Sequence, residues 1–396
     1  MGTMHGPQPD LPCLTWAEVD LGALAHNYRE LRRVTSPAAA MMAVVKADGY
    51  GHGAPQVARV ALENGADLLA VARVDEAVRL REAGLSAPIL LFGHSLPEYV
   101  DFLASRDIRA SLNSLEDARR ISAEAVRLKK TVKAHIKVDT GMGRLGLLAD
   151  DISVGTATGE RIRLAVNDIL AIAALPGIHI EGIFTHFANS DTANKDHART
   201  QLSRFMKLLQ ALKEHSFQVR YRHAANSAAI IDMPESHLDL VRPGIAQYGL
   251  WPSDDVQKQH IDLRPVMSIK SRVIHIKEVG AGFAVSYGSI HVTPRPTRIA
   301  TIPIGYADGY DRILSNKGHM LVRGMRAPII GRVCMDLTML DVGHVPDVRL
   351  EDEVVILGSQ GDAAISADDI AQRVGTINYE IVSSLTSRVC KMFVGG

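Results

Sequence analysis

An α/β architecture, a (β/α)8 TIM-like barrel followed by a mostly β C-terminal domain, is what this chain predicts, on three observations. Eight short β-type runs alternate with helix-length stretches between Met41 and Gly244. No G-x-G-x-x-G turn accompanies them, which disfavours the doubly wound sheet, the competing architecture with the same alternation. After about Met267 the alternation stops and strand follows strand.

The elements follow in order. The opening "MGTMHGPQPD" has neither a charged n-region nor an apolar h-region, so it is not a signal peptide, and residues 1–12 are expected to be a disordered leader. The barrel is expected over residues 13–262. Its runs are "MMAVVKA", "LLAVA", "PILLFG", "IRASL", "VKAHIKV", "IEGIFTHF", "VRYRHAA" and "HLDLVRPG". Between them, "NSLEDARRISAEAVRLK" sets Ala118, Ile121, Ala125 and Leu128 on one helical face. "HARTQLSRFMKLLQALKEH" does the same with Leu202, Phe205, Leu208, Leu209 and Leu212. Residues 263–396 form the β domain, with "SIKSRVIHIKEV", "RIATIPIGYA" and "DEVVILGS" among its strands. One helix, "SADDIAQRVG", opens on a Ser N-cap with acids in its first turn.

Composition narrows the function. Lysine plus arginine equals aspartate plus glutamate at 44 each, so the formal net charge is zero and no nucleic-acid or membrane partner is expected. No segment has the apolar length of a transmembrane helix. Cys13, Cys334 and Cys390 are scattered and odd in number. They suggest neither a disulfide framework nor a metal set, and a reducing, cytoplasmic setting is the simpler reading.

In a barrel, chemistry sits at the C-terminal ends of the strands. The polar residues there are Lys46, Lys137, His186, His223, Asn226, Ser227 and Arg242. Singly, each has a bland reading: a solvated lysine, a hydrogen-bonded core histidine. Their shared register argues otherwise, since surface charge has no reason to obey it. In "AVVKADGYGHG", Lys46 ends an apolar strand, so desolvation favours a neutral, nucleophilic amine of the Schiff-base kind. Glycines follow it, and the hydroxyl of Tyr50 could reach a phosphate. "HAANSAA" and "RPGIAQYG" supply Ser227 and the backbone N–H groups of Gly244 and Ile245, a cup that a sugar-phosphate enzyme would also use. Arg144, in "KVDTGMGRLG", suits bidentate recognition of a carboxylate. Tyr287 in "AVSYGSI" and Tyr306 in "PIGYADGYD" say little by themselves.

Together, "AVVKADGYGHG", "KVDTGMGRLG", "FTHFANSD", "HAANSAA", "LVRPGIAQYG", "SYG", "IGYADGY", "GRVCMD" and "TINYE" occur in the order seen in bacterial alanine racemases. The chain resembles that family from about Trp16 to Met392. The resemblance implies pyridoxal 5'-phosphate as cofactor, a homodimer, and an early strand at about 14–21 that joins the β domain. Lys46 is then the cofactor-bonding lysine and one of two bases, and Tyr287 the second base, contributed by the other subunit. Arg242 faces the pyridine nitrogen, with His186 linking it towards Tyr287. Tyr50, Asn226, Ser227, Gly244, Ile245 and Tyr379 contact the cofactor, while Arg144 and the backbone of Met335 hold the substrate carboxylate. Lys137 matches a lysine often carbamylated, and Tyr306 with Tyr379 narrows the pocket. No motif position departs from the family. The segment from about Asp150 to Ile172 is longer than usual.

The activity so implied is interconversion of L- and D-alanine by two bases, supplying D-alanine for peptidoglycan. Two bases are needed because one residue can scarcely reach both faces of the α-carbon. The alternatives are a serine or broader-specificity racemase, a decarboxylase of basic amino acids, and a non-enzymatic carrier of the same cofactor. An arginine at the pyridine nitrogen argues against the decarboxylase, whose relatives place an acid there. The appended β domain argues against the carrier.

Overall fold

The structure, a computed structural model, describes residues 12–150 and 159–395. Two compact units result: Gly22–Arg264 is one, and residues up to Leu21 together with Pro265–Gly396 are the other.

The first unit is the barrel. Its strands are Ala40–Val44, Leu68–Val71, Ile89–Leu91, Ile108–Leu112, Val132–Asp139, Ile178–Phe184, Tyr221–His223 and Leu240–Val241. Each pairs in parallel with the next through Tyr221–His223, and Leu240 and Val241 pair back onto Ala40 and Met41. Between the last two strands single backbone bonds complete the ring, Asp239 N–H to Arg222 O and Arg242 N–H to Ala225 O. The early strands are buried on both faces, which is why they read as unbroken apolar runs rather than as alternation.

The layer outside is helical. Leu115–Leu128 starts where the Ser114 hydroxyl accepts from Asp117 N–H, a cap worth about 1 kcal/mol. It buries Ala118, Ile121 and Ala125, with Leu128 half-buried at its end. Asp196–Glu214 buries Leu202, Phe205, Leu208 and Leu212, leaving Leu209 half-buried. Full burial of such side chains stabilises by about 1.5–3 kcal/mol each, enough to seat the helix on the barrel. Of the long segment from Asp150 to Ile172, residues 151–158 lie outside the described residues. Residues 160–172 belong to the helix Glu160–Ala173. The expected leader, Pro12 apart, also lies outside them.

The second unit is mostly β. Its larger sheet runs Met325–Pro328, His319–Val322, Glu353–Gln360, Met267–Arg272, Thr15–Asp20 and Cys390–Val394. Thr15–Asp20, the earliest strand, lies antiparallel to Met267–Arg272 and parallel to Cys390–Val394. A smaller antiparallel sheet joins His275–Val279, Thr297–Ile302 and Thr338–Asp341. The helix Ala367–Val374 is capped by Ser366, whose hydroxyl accepts from Asp369 N–H.

The cysteine reading needs correction. Cys13 and Cys390 form a disulfide, 377 residues apart in sequence, leaving Cys334 free. The cause is the pairing of the first strand with the last, which sets Trp16 opposite Cys390 and brings Cys13 within reach. No helix among the described residues is long and apolar enough to cross a membrane.

Candidate active site

The strand that begins at Ala40 ends against a turn of unusual hand. Ala47, Asp48, Gly49 and Tyr50 all have φ between 51° and 64°. For a residue with a Cβ that conformation costs roughly 1–2 kcal/mol, and three of the four have one. The turn is held by hydrogen bonds from within it and from the helix Val74–Glu82. Glu76 Oε1 accepts from Ala47 N–H at 2.5 Å, and Asp48 Oδ1 from Ala54 N–H at 3.0 Å. Gly53 N–H donates to Asp48 O at 2.8 Å. The Tyr50 ring stacks on Tyr248, whose hydroxyl donates back to Val44 O. Lys46, at the head of this turn, is half-buried with its amine 5.9 Å from the Tyr50 ring centre. Burial, aided by Arg144 and opposed by Glu76, pushes the lysine below its usual pKa, towards the neutral amine.

Behind the turn lies a small cradle. A Cβ on Gly244 would come within 3.1 Å of Tyr50 Oη and 3.7 Å of Ser227 Oγ, so the glycine keeps room beside two hydroxyls. Ser227 Oγ accepts from Gly244 N–H at 2.8 Å and Ala246 N–H at 3.2 Å. Ile245 is buried on the short turn between them. Asn226 caps the helix Ser227–Asp232, its Oδ1 accepting from Ala229 N–H and from Ser190 Oγ. Burial pushes the Tyr50 phenol up to about 12, so it stays a hydrogen-bond donor. Hydroxyls and backbone N–H groups around an open glycine fit a phosphate group, and a lysine of lowered pKa beside them fits an aldehyde-bearing one.

Cations gather at the next strand ends. Arg242 is buried and donates to His223 Nδ1, Thr185 O and Ala224 O at 2.9 Å each, and to His186 Nδ1 at 3.3 Å. Burial, reinforced by Arg144, brings its guanidinium down to about 9. Because arginine has only donors, His186 must accept at Nδ1 and carry its proton on Nε2. Burial with four nearby cations, Arg242 first, keeps that ring neutral. Lys137 is buried with its amine 4.8 Å from the Phe184 ring centre, and burial beside Arg242 and Arg144 pushes it far below the ordinary lysine range. Arg144 is exposed, on a loop organised by Asp139, whose carboxylate accepts from the N–H groups of Gly141, Met142, Gly143 and Arg144.

Tyr287, Tyr306, Met335 and Tyr379 belong to the other unit. Tyr287 sits at the tip between Ala284–Val285 and His291–Val292, 72% exposed. Its base is pinned where Ser286 Oγ donates to Arg332 O at 2.8 Å. From there the chain runs to Met335, whose carbonyl accepts from Ala307 N–H while Cys334 O accepts from Tyr306 N–H. A Cβ on Gly305 would overlap both carbonyls, so only glycine lets Tyr306 and Met335 meet this closely. Both side chains are exposed, and Tyr379 is half-buried on the helix Asn378–Ser383. Lys46, Tyr50, Ser227 and Gly244 thus form one group, Arg242 and His186 another, and Tyr306 with Met335 a third.

Sequence reasoning missed the residues that hold these in place. Glu76, in the first turn of the helix Val74–Glu82, also accepts from Ala72 and Arg73 N–H. Gln201 accepts from Ala188 N–H and donates to His186 O. Only Asp139 left a signal, an aspartate followed by two closely spaced glycines.

A family model described as alanine racemase, N-terminal domain, matches residues 19–252, and one described as its C-terminal domain matches 266–393. An alanine racemase of Desulfosudis oleivorans is 51% identical over 381 residues, 96% of this chain and 97% of that protein. An alanine racemase of Bacillus anthracis, solved with L-Ala-P bound, superposes with a TM-score of 0.87 at 37% identity, covering 98% of this chain and 97% of that one. A histidine racemase of Leuconostoc mesenteroides superposes at 0.86 with 28% identity, covering 98% and 99%.

Proposed function

The chain belongs to the alanine racemase family, and on that premise we propose that it interconverts L- and D-alanine with pyridoxal 5'-phosphate, as a homodimer with shared active sites. The observation that carries the reading is Arg242. A guanidinium held from three sides by acceptors cannot readily give its proton to a ring nitrogen, and a racemase benefits when that ring is a weak electron sink.

Lys46 would bond the cofactor, with Tyr50, Ser227, Gly244 and Ile245 around its phosphate, Asn226 shaping the helix start, and Tyr379 as a further contact. When bound, the cofactor acidifies the α-proton by delocalising the negative charge left behind. The protein's own residues do the rest. Lys46, its pKa lowered by burial, takes or returns a proton at the α-carbon on one face. Tyr287 serves the opposite face from the partner subunit, which its exposure leaves open to it. Arg144 grips the substrate carboxylate, helped by the Met335 backbone. Lys137, pushed well below the ordinary lysine range by burial, is the more nucleophilic towards carbon dioxide, and a carbamate there would offset the charge of Arg144. Tyr306 and Tyr379 narrow the entrance in favour of a small side chain.

Incubating the holoenzyme with L-alanine and measuring D-alanine tests the reading; cofactor bound but no interconversion overturns it. The histidine racemase likeness favours a second reading, a broader substrate range, and racemisation assays over all the amino acids decide between them. Supplying D-alanine to peptidoglycan is a cytoplasmic task, whereas the Cys13–Cys390 bond suits an oxidising setting. Thiol titration of denatured protein taken from cells separates the two. Three free thiols fit a reducing cytoplasm, and one fits the oxidised form.

A further inference from the structure

The site described above uses Arg242, His186 and His223, but a third imidazole lies behind them. His135, on the strand Val132–Asp139, is fully buried with its Nδ1 2.9 Å from His223 Nε2. Donor rules fix every proton in this row. Arg242 can only donate, so His223 Nδ1 accepts. A neutral His223 then carries its proton on Nε2 and donates it to His135 Nδ1, and a neutral His135 carries its own on Nε2. Burial keeps both rings neutral, with Arg109 and Arg242 adding to the effect on His135, which is brought down to about 3.

Two further features set this ring apart from core filling. His135 Nε2 has no hydrogen-bond partner in the protein, so a phenylalanine of similar shape would pack here without an unmatched donor. The strand also makes room for it: pairing with Ile178–Phe184 shifts register between Ala134 and His135. The residue opposite His135 is Gly182, where a Cβ would come within 2.6 Å of His135 Nδ1. The His223 ring is itself sandwiched, stacked on Phe184 at 4.8 Å and meeting His135 edge-on at 5.1 Å.

We propose that His135 is a positioning residue: by accepting from His223 Nε2 it holds the His223 ring, whose tautomer Arg242 sets, and through that ring the aim of the Arg242 guanidinium. The proposal rests on the reading of Arg242 as the group that faces the cofactor ring.

Solid-state 15N spectra of histidine-labelled holoenzyme test it. Wild-type His223 should show one neutral tautomer, protonated at Nε2. His135→Phe should shift the His223 Nε2 resonance as its hydrogen bond is lost and lower kcat about tenfold, with the KM for alanine changed less than about twofold, the loss of one hydrogen bond. His135→Gln keeps an acceptor and should restore the Nε2 resonance and most of the rate. A wild-type spectrum with the His223 proton on Nδ1, or on both nitrogens, overturns the proposal without any variant. So does an unchanged His223 in a folded His135→Phe protein, or His135→Gln behaving like His135→Phe. The spectrum requires no turnover. A protein that shows this tautomer pair yet leaves alanine untouched would therefore sink the functional reading and spare the relay.

Discussion

The turn after Lys46 and the turn around Tyr287 share a device and differ in how it is finished. Both place non-glycine residues at positive φ, Ala47, Asp48 and Tyr50 in one and Ser286 and Ser289 in the other. The lysine turn is enclosed by its own unit: Glu76 and Asp48 bond its backbone and Tyr248 stacks behind it. The tyrosine turn is fastened at its two ends, by Ser286 Oγ to Arg332 O and by Asn316 Nδ2 to Ile290 O, and holds its phenol 72% exposed. Backbone strain persists where surroundings over-determine it, and such places cluster at functional sites. One half of the proposed catalyst is therefore completed by the folding of its own unit, while the other is a finished backbone presenting an unfinished contact.

The comparison is broken most directly at the enclosed half. Lys46→Ala should lower D-alanine formation by about 10⁴-fold or more and abolish the visible absorbance of a covalently held cofactor. Retained absorbance would mean that another lysine holds the group. Tyr287→Phe should lower turnover by about 10²–10⁴-fold yet leave that absorbance in place, since the phenol's role is proton transfer alone. Mixing the two inactive proteins sharpens the point: if sites are shared across a symmetric dimer, random exchange restores about a quarter of wild-type activity. No recovery after verified exchange would put Lys46 and Tyr287 of one site in the same subunit.

Smaller effects probe the enclosure itself. Gly244→Ala crowds the hydroxyl of Tyr50 and should weaken cofactor retention about 10–100-fold, an overpacking effect, as read by dialysis against apoenzyme. The buried histidines should make the barrel unit acid-sensitive. His135, His186 and His223 have folded pKa values below the ordinary ~6.5 of an unfolded histidine. Between those lowered values and ~6.5 the unfolded chain binds more protons, so stability is whole above that range and falls as pH drops through it. His135→Phe should lose roughly 1–2 kcal/mol less than wild type between pH 6.5 and 5 in urea melts. Equal losses would place the acid response elsewhere.

Much of this was legible in the chain. The barrel strands read clearly because parallel strands covered on both faces are continuous apolar runs, as "LLAVA" and "PILLFG" are. Lys46 and Arg242 stood out only together with the other polar strand ends, because surface charge has no reason to obey a shared register. What escaped was set by partners far away in sequence. Glu76 reads as an ordinary helix-start acid until the fold puts it against Ala47. His135 reads as one polar residue in "VKAHIKV", and the disulfide joins cysteines 377 residues apart.

By itself, then, the sequence determined the alternation of elements, the boundary where it stops, and the residue types at the strand ends. Those are local matters, set by periodicity and by what each strand can bury. Only the tertiary structure decided the hand of the lysine turn, because left-handed backbone at Ala47, Asp48 and Tyr50 runs against their own preferences and survives on bonds from elsewhere. It alone decided the proton positions along His135, His223 and Arg242 as well. A tautomer has no sequence signature, being fixed only when an obligate donor is packed against one nitrogen of a ring.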